Sequence, residues 1–534
     1  MRQRRLRGTV LGAALAAVGV AAGGAGAQEI TIAVGGAFTS MDPHFHDLSP
    51  NHALAWHVWD RLVHPDADQR PAPGLATEWR ALDERTWEFK LREGVRFHDG
   101  TPFTADDVVF TFARAPNVPN SPTSMGQYVR PVQRLEVVDA HTIRLHTREP
   151  VPLIPQMMGA FAILGRKQGE GPGGSALPTG DYNSGRAAIG TGPYRLVSFA
   201  LGDRAVFARH EGWWGPAQPW QRVTYRLIAN DSSRVAALQA GDVDAIDAVP
   251  TRDVARLQRD PRLAVQSRPG LRLIYLYVDV NRPVSPFVTD RAGNPLPENP
   301  LRDVRVRRAL SLAINREGIR RQLMEGHAMP AGQPMPEGAV GYDPQTHPDP
   351  YDPDGARRLL AEAGFPDGFG LTLHGPNDRY VNDDAIAQAI AQMWARIGVR
   401  ATVQTMPASM FFSRGVRDEY SISLTGWSST TGEADTPLAT QIATPDPPRG
   451  RSTVIRKSHY ANPEVDAIID RALTAIDPRE REGLYRQAIR IAYGRDVAVI
   501  PIHHQVNIWA TRRGIGYAPR LSEQTRAIEF APAR

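Results

Sequence analysis

The sequence predicts an α/β protein with mixed sheets, divided into two or three domains. Three observations carry this. The 534 residues exceed what one ordinary hydrophobic core accommodates. Segments that alternate with a period of two, expected as strands, are interleaved along the chain with segments at helical spacing. Beyond the first 27 residues no apolar run approaches the ~20 residues that would cross a bilayer, so the mature chain is expected to be soluble.

Taken in order, MRQRRLR is basic, GTVLGAALAAVGVAAGG is apolar and small, and AGAQ offers an A-x-A site ending at Ala27. Residues 1–27 therefore read as a secretory signal peptide cleaved before Gln28, with Arg4-Arg5 leaving Sec and twin-arginine export both open. Cleavage removes Arg2, Arg4, Arg5 and Arg7 and no acid, so the formal charge falls from +5 to +1. With no basic cluster interleaved with aromatics elsewhere, nucleic acid is excluded as a partner. The chain has no cysteine, which rules out disulfides, thiolate metal sites, a cysteine nucleophile and acylation of an N-terminal cysteine. An exported chain without staples or a lipid anchor fits the periplasm.

Farther along, Trp87, Phe89 and Leu91 alternate with polar residues and predict a strand that ends at the turn His98-Asp99-Gly100. Thr104 and Asp107 predict a capping box for a helix with Val108, Val109 and Phe112 on its apolar side. YDPDGARRLLAEAGF predicts a helix starting near Asp352 or Asp354 and stopping at Gly364. Ile386, Ile390, Met393, Trp394 and Ile397 give a helical stripe closed by Gly398, after which Val399, Ala401 and Val403 begin a strand. Proline-rich joints at 116–122, 283–300 and 330–353 read as surface loops.

Chemical motifs are thin. Gly190-Thr191-Gly192 lacks the third glycine of a dinucleotide site and reads as a turn. There is no P-loop, no H-E-x-x-H and no G-x-S-x-G. Asp349, Asp352 and Asp354 have the wrong spacing for a calcium loop and read as a helix start. His44, His46 and His52, with His503-His504, could form a metal site only across the fold; local loop roles or ligand contact are the simpler reading. Asp106-Asp107, Asp244 and Asp247 read as helix starts and surface positions. No nucleophile is spaced with a base, so a binding protein is expected, not an enzyme, with no cofactor.

Several stretches together resemble the large peptide-type solute-binding proteins of ABC importers, family 5, the dipeptide and oligopeptide binders and their relatives. They are TSMDPHFHD, PAPGLATEWRALDERTWEFKLREGVRFHDGTPFTADDVVFTF, GTGPYRL, LQAGDVDAIDAVP, DVRVRRALSLAINREGI, ARRLLAEAGF and AVIPIHHQVN, in the family's order over nearly all of the mature chain. The resemblance implies a two-lobed periplasmic-binding-protein fold of type II with an extra inserted domain. Lobe one would comprise 28–69, 188–268 and 506–534, the inserted domain 70–187, and lobe two 269–505. The crossovers near Arg268 and Val506 would be the hinge. It also implies a monomer that closes on a small-molecule or peptide ligand and docks on the transmembrane subunits of an ABC permease. A secreted hydrolase is the reading from another class, and it would need a serine–histidine or two-carboxylate site.

The resemblance carries over to sites one by one. GWSSTTGEAD is similar to the family's cleft loop, which implies ligand contact by Gly426, Trp427 and Ser428; for Trp427, packing is the competing role. In the family's peptide binders an aspartate three positions after this tryptophan holds the α-amine; here that position is Thr430. Three readings stay open. Glu433 or Asp435 reaches in to replace the charge; the ligand is a peptide with a blocked or displaced amine, such as a γ-linked one; or the cargo is an opine, an oligosaccharide or a metal chelate. Asp47, Leu48 and Ser49 match the stretch whose backbone pairs with an extended peptide. His503, His504 and Gln505 match a tyrosine-rich hinge segment made more polar here. Tyr275 and Tyr277 enter lobe two beside the cleft, and alternation would send one of them to sheet core.

Overall fold

The computed structural model describes residues 28–446, 451 and 459–533, so the expected signal peptide lies outside the described residues. Among the described residues twelve strands form one mixed sheet. Its middle is made by two long antiparallel neighbours, Leu263–Val278 and Val499–Arg512. On one side of them lie Ile422–Ser428, Gly370–Pro376 and Arg400–Met406; on the other lie Ala245–Ile246, Glu29–Val34, Arg222–Leu227, Arg204–Arg209 and Tyr194–Ala200. Pairing within the sheet is both parallel, as between Glu29–Val34 and Arg222–Leu227, and antiparallel.

The two long strands run through a break in their own ladder. Pro269 faces Val506, pairing resumes only at Leu273 opposite His504, and the bulge between them carries Gly270. A Cβ on Gly270 would lie 2.7 Å from Nδ2 of the Asn507 side chain, so the carboxamide of Asn507 fills the space a side chain would take. Beyond the break, Ile274, Leu276 and Val278 pack into one core with Leu310, Ile390 and Trp394. Leu271, Leu273, Tyr275 and Tyr277 pack into another with Leu438, Ile469 and Tyr485. Positions two apart share a face. Tyr275 and Tyr277 therefore go into the same core, their rings 5.1 Å apart and both hydroxyls on Gln441, where the sequence reading had assigned only one of them to core.

A separate four-stranded antiparallel sheet, in the order Ala76–Asp83, Thr86–Leu91, Thr142–Thr147, Val132–Asp139, covers its own core of Phe89, Val108, Ile143 and Leu145. Local signals set the ends of helices as predicted, here and elsewhere in the chain. Asp107 accepts from the Thr104 backbone N–H at 2.8 Å and closes the capping box of helix Ala105–Arg114. Asp352 accepts from Gly355 N–H at 2.8 Å and starts helix Pro353–Glu362. Gly364 and Gly398 take φ of 91° and 90°, the left-handed conformation that ends a helix at low cost only for glycine. Gly190 and Gly192 do more than turn: a Cβ on Gly190 would lie 1.9 Å from the Val58 carbonyl, so the segment is pressed against the end of helix Ser49–Val58. No helix among the described residues is long and apolar enough to cross a membrane.

Candidate functional site: a cleft between two walls

The central sheet leaves an open cleft of about 1670 Å³. One wall is made by the 34–38 turn, the start of helix Ser49–Val58 with Trp56 and Arg61, and the segment 520–525. The opposite wall is made by 377–385 and 425–431, and Gln505 to Trp509 form the floor where the ladder breaks.

Strand Ile422–Ser428 delivers the GWSSTT run to this cleft. Gly426 is required by packing: a Cβ there would lie 2.8 Å from both Ile274 Cδ1 and Tyr380 Cε1, and the Tyr380 hydroxyl donates to the Gly426 carbonyl at 3.1 Å. Trp427 lines the cleft and packs on the Tyr275 core from its other side; its indole N–H is buried without a partner. Ser428 and exposed Thr430 also face the opening.

The two carboxylates behind the loop do not. Glu433 is 6% exposed and accepts from Arg481 Nε at 2.9 Å, Gln156 Nε2 at 2.9 Å and the Tyr485 hydroxyl at 3.3 Å. Asp435 is equally deep, bonded by Thr431 and Thr436. Burial, with the Glu433 charge adding to it, pushes the Asp435 carboxyl up to about 7 despite the Thr431 bond. Neither side chain is placed to supply the charge absent at Thr430. Glu433 instead ties the loop to Gln156 on one side and to helix Pro478–Ile489 on the other.

The remaining expectations divide by strand parity and by prior engagement. Asp47, Leu48, Ser49 and Gln505 line the cleft. The Asp47 and Leu48 N–H groups are already bonded, to Thr123 O and His46 O, and the Asp47 carboxylate is held by His52 at 2.6 Å, by the Tyr128 hydroxyl at 2.9 Å and by Gln127. Tyr275, His503 and His504 lie off the cleft wall, 2%, 2% and 4% exposed. Burial pushes the two imidazoles down to about 3 and about 4, so both are neutral. Among the described residues no three His, Asp or Glu side chains are grouped to hold a metal ion.

Sequence reading missed the arginines. Arg272 forks onto Glu523 at 2.9 Å between the walls, and Arg379 reaches into the opening over the Tyr380 ring. Arg61 is 1% exposed, stacks 3.6 Å over Trp56 and lines the cleft, yet its Nε and Nη1 have no partner. The available signal was the Asp60-Arg61 pair inside the otherwise largely apolar run from Trp56 to Val63. Asp247, read as a surface position, also lines the cleft; burial pushes its carboxyl up, and Gly35 N–H bonds it at 2.8 Å.

A curled mixed sheet with a cleft across its broken ladder is the architecture of two-lobed periplasmic binding proteins, and solved structures of that class superpose on the chain. DppA from Helicobacter pylori, in complex with the peptide STSA, matches with a TM-score of 0.75 at 22% identity over 95% of this chain and 98% of that one. CtaP from Listeria monocytogenes matches with a TM-score of 0.79 at 21% identity over 95% and 99%. The glutathione-binding protein GsiB of Pectobacterium atrosepticum is 30% identical over 470 residues, 86% of each chain. Residues 70–446 match the family described as "Bacterial extracellular solute-binding proteins, family 5 Middle". The chain belongs to this family; it is a solute-binding protein and not an enzyme.

Proposed function

We propose that the chain is the periplasmic binding component of an ABC importer for a short peptide-like solute whose amine is not held as in ordinary α-peptides, with a γ-linked peptide of the glutathione type as the first candidate. The observation that carries this is the loop after Trp427: Thr430 is neutral, and both nearby carboxylates are turned inward and bonded. A buried ammonium left without its partner costs about 3–5 kcal/mol, so an α-amine at Thr430 is disfavoured. The relatives named as glutathione-binding proteins support the same solute class. In this reading residues 1–27 are a cleaved export signal. Lobe one (28–69, 188–268, 506–534) with its inserted domain (70–187) closes on lobe two (269–505) about the Pro269–Val506 break. The closed monomer docks on the permease, because contacts to both lobes favour the closed state by their differential affinity.

A thermal-shift screen of refolded, ligand-free protein tests it, with di- to pentapeptides, glutathione, opines, oligosaccharides and nickel chelates. A solute at 100 times its Kd adds about 2.7 kcal/mol to the folded state. Glutathione or amine-blocked peptides are expected to raise Tm. Stabilisation by opines, sugars or chelates alone would overturn the peptide reading.

A further inference from the structure

Among the described residues, nine arginines are buried, and eight of them have their guanidinium engaged. Arg234 donates to the carbonyls of Asp247, Ile228 and Ala248, and Arg307 to those of Val497, Leu301 and Asp496. Arg316 donates to the Pro501 carbonyl, and Arg481 to Glu433. Arg114, Arg451, Arg520 and Arg526 sit in ion pairs. The ninth is Arg61, with no hydrogen bond and no ion pair. A guanidinium stays protonated in proteins, so it cannot shed the charge as the buried histidines do. Without an anion or acceptor in a low-dielectric wall, it carries a desolvation penalty that the face of Trp56 offsets only in part.

The surroundings do not supply the missing anion. Asp60, its sequence neighbour, is taken by the indole N–H groups of Trp214 at 2.8 Å and Trp213 at 3.3 Å, by the Thr191 hydroxyl at 2.9 Å and by His64 at 3.4 Å. Asp47 is held by His52, Gln127 and Tyr128. Glu529 is shared by Arg520 and Arg526, and Arg526 lies 4.4 Å over the same Trp56 ring that Arg61 covers. Three guanidiniums thus gather around Trp56 and Glu529. Of these, Arg61 and Arg520 line the cleft; Arg520 is spent on Glu529, while Arg61 has only Trp56 behind it fixing its plane, and Trp56 is itself tied to Gln524 at 3.2 Å. A planar fork held flat against an aromatic ring matches the two oxygens of a carboxylate.

We propose that Arg61 is a ligand-binding residue that takes a carboxylate of the solute. The proposal rests on the cleft being the solute site. It deepens that reading by making an anionic group a requirement on the lobe-one wall.

The first test needs no ligand. Arg61→Met in the empty protein is expected to raise Tm, because it removes an unpaired buried charge and keeps the apolar stem. A fall in Tm would mean that Arg61 is a structural member and would overturn the proposal. The second is calorimetric titration of wild type and Arg61→Gln with glutathione and its diethyl ester, and with N-acetyl-trialanine and its C-terminal amide. Wild type is expected to bind the acids at least tenfold more tightly than their ester or amide, and Arg61→Gln to bind both alike with the acids weakened at least tenfold. Equal acid preference in wild type and variant overturns the Arg61 assignment while the solute class stands. No binding of any of the four by wild type, together with an unchanged or lower Tm for Arg61→Met, overturns both; a raised Tm there keeps the anion site and removes the peptide.

Discussion

Two charged groups flank the same cleft and have been handled in opposite ways. Behind the Trp427 loop, Glu433 is buried and fully engaged by Arg481, Gln156 and Tyr485, so its charge is consumed by the fold. Across the opening, Arg61 is buried as deeply and engaged by nothing but the face of Trp56. Depth alone does not separate a structural charge from a functional one. The number of partners does, because a satisfied group has no free energy left to give a ligand, while an unsatisfied one gives back its desolvation penalty when the ligand arrives.

The largest effect that sharpens this contrast is that of pH. The buried imidazoles His44, His57, His98, His374 and His504 are pushed down to about 4, and His503 to about 3, in each case first by burial. In the unfolded chain each takes up a proton near 6.5. Between pH 6.5 and about 4 the unfolded state therefore binds more protons than the folded one, and stability falls as pH drops through that window. Asp435, raised to about 7, works the other way: its folded form holds a proton the unfolded form releases, so its share of stability grows as pH falls from 7 toward 4. Asp107, Asp247 and Asp383 are also raised by burial and act in the same sense as Asp435, but the six imidazoles outnumber these four carboxyls, so Tm is expected to fall from pH 6.5 to pH 4.5. A flat profile over that range would mean that the histidines open to solvent and that burial in this protein is looser than described.

Next in size is the Glu433 pair itself. Arg481→Met leaves the carboxylate buried without its cation, at a cost of about 3–5 kcal/mol read by urea unfolding. The ligand-induced shift in Tm is expected to survive wherever the variant folds. If the loss is under about 1 kcal/mol, or the ligand shift disappears with little loss of stability, Glu433 faces the solute and the contrast between the walls is broken.

What the sequence disclosed follows the range of the interaction. The capping box of Thr104 and Asp107, the stop at Gly398 and the strand Thr86–Leu91 are set by neighbours within a few residues, and each was legible. The arrival of Gly426-Trp427 at a cleft was legible through resemblance. The fate of Glu433 was not, since its partner Arg481 lies 48 residues on and Gln156 lies 277 residues back. Arg61 was hidden for a stronger reason: its distinguishing property is a contact it lacks, and only a folded chain shows which partners are absent. The two tyrosines failed on parity, a local rule, when Tyr275 and Tyr277 were separated although a period of two keeps them together.

The smallest expected effect comes at Thr430, and it asks whether the loop's neutrality is a choice of cargo. Thr430 is exposed, its hydroxyl only 3.4 Å from that of Thr436, so Thr430→Asp should leave stability within about 0.5 kcal/mol. The new carboxylate would stand on the wall made by 425–431, at the position where the proposed reading puts ammonium capture in peptide binders, with Glu433 and Asp435 too engaged to compete. Trialanine with a free α-amine is then expected to gain about tenfold over its N-acetyl form, about 1.4 kcal/mol, relative to the same ratio in wild type. An unchanged ratio would mean that the amine of a bound peptide lies elsewhere in the cleft, and Thr430 would cease to be the position that sets the cargo. A gain accompanied by weaker glutathione binding would place the two solutes in competition for one wall and leave Arg61 as the contact they share.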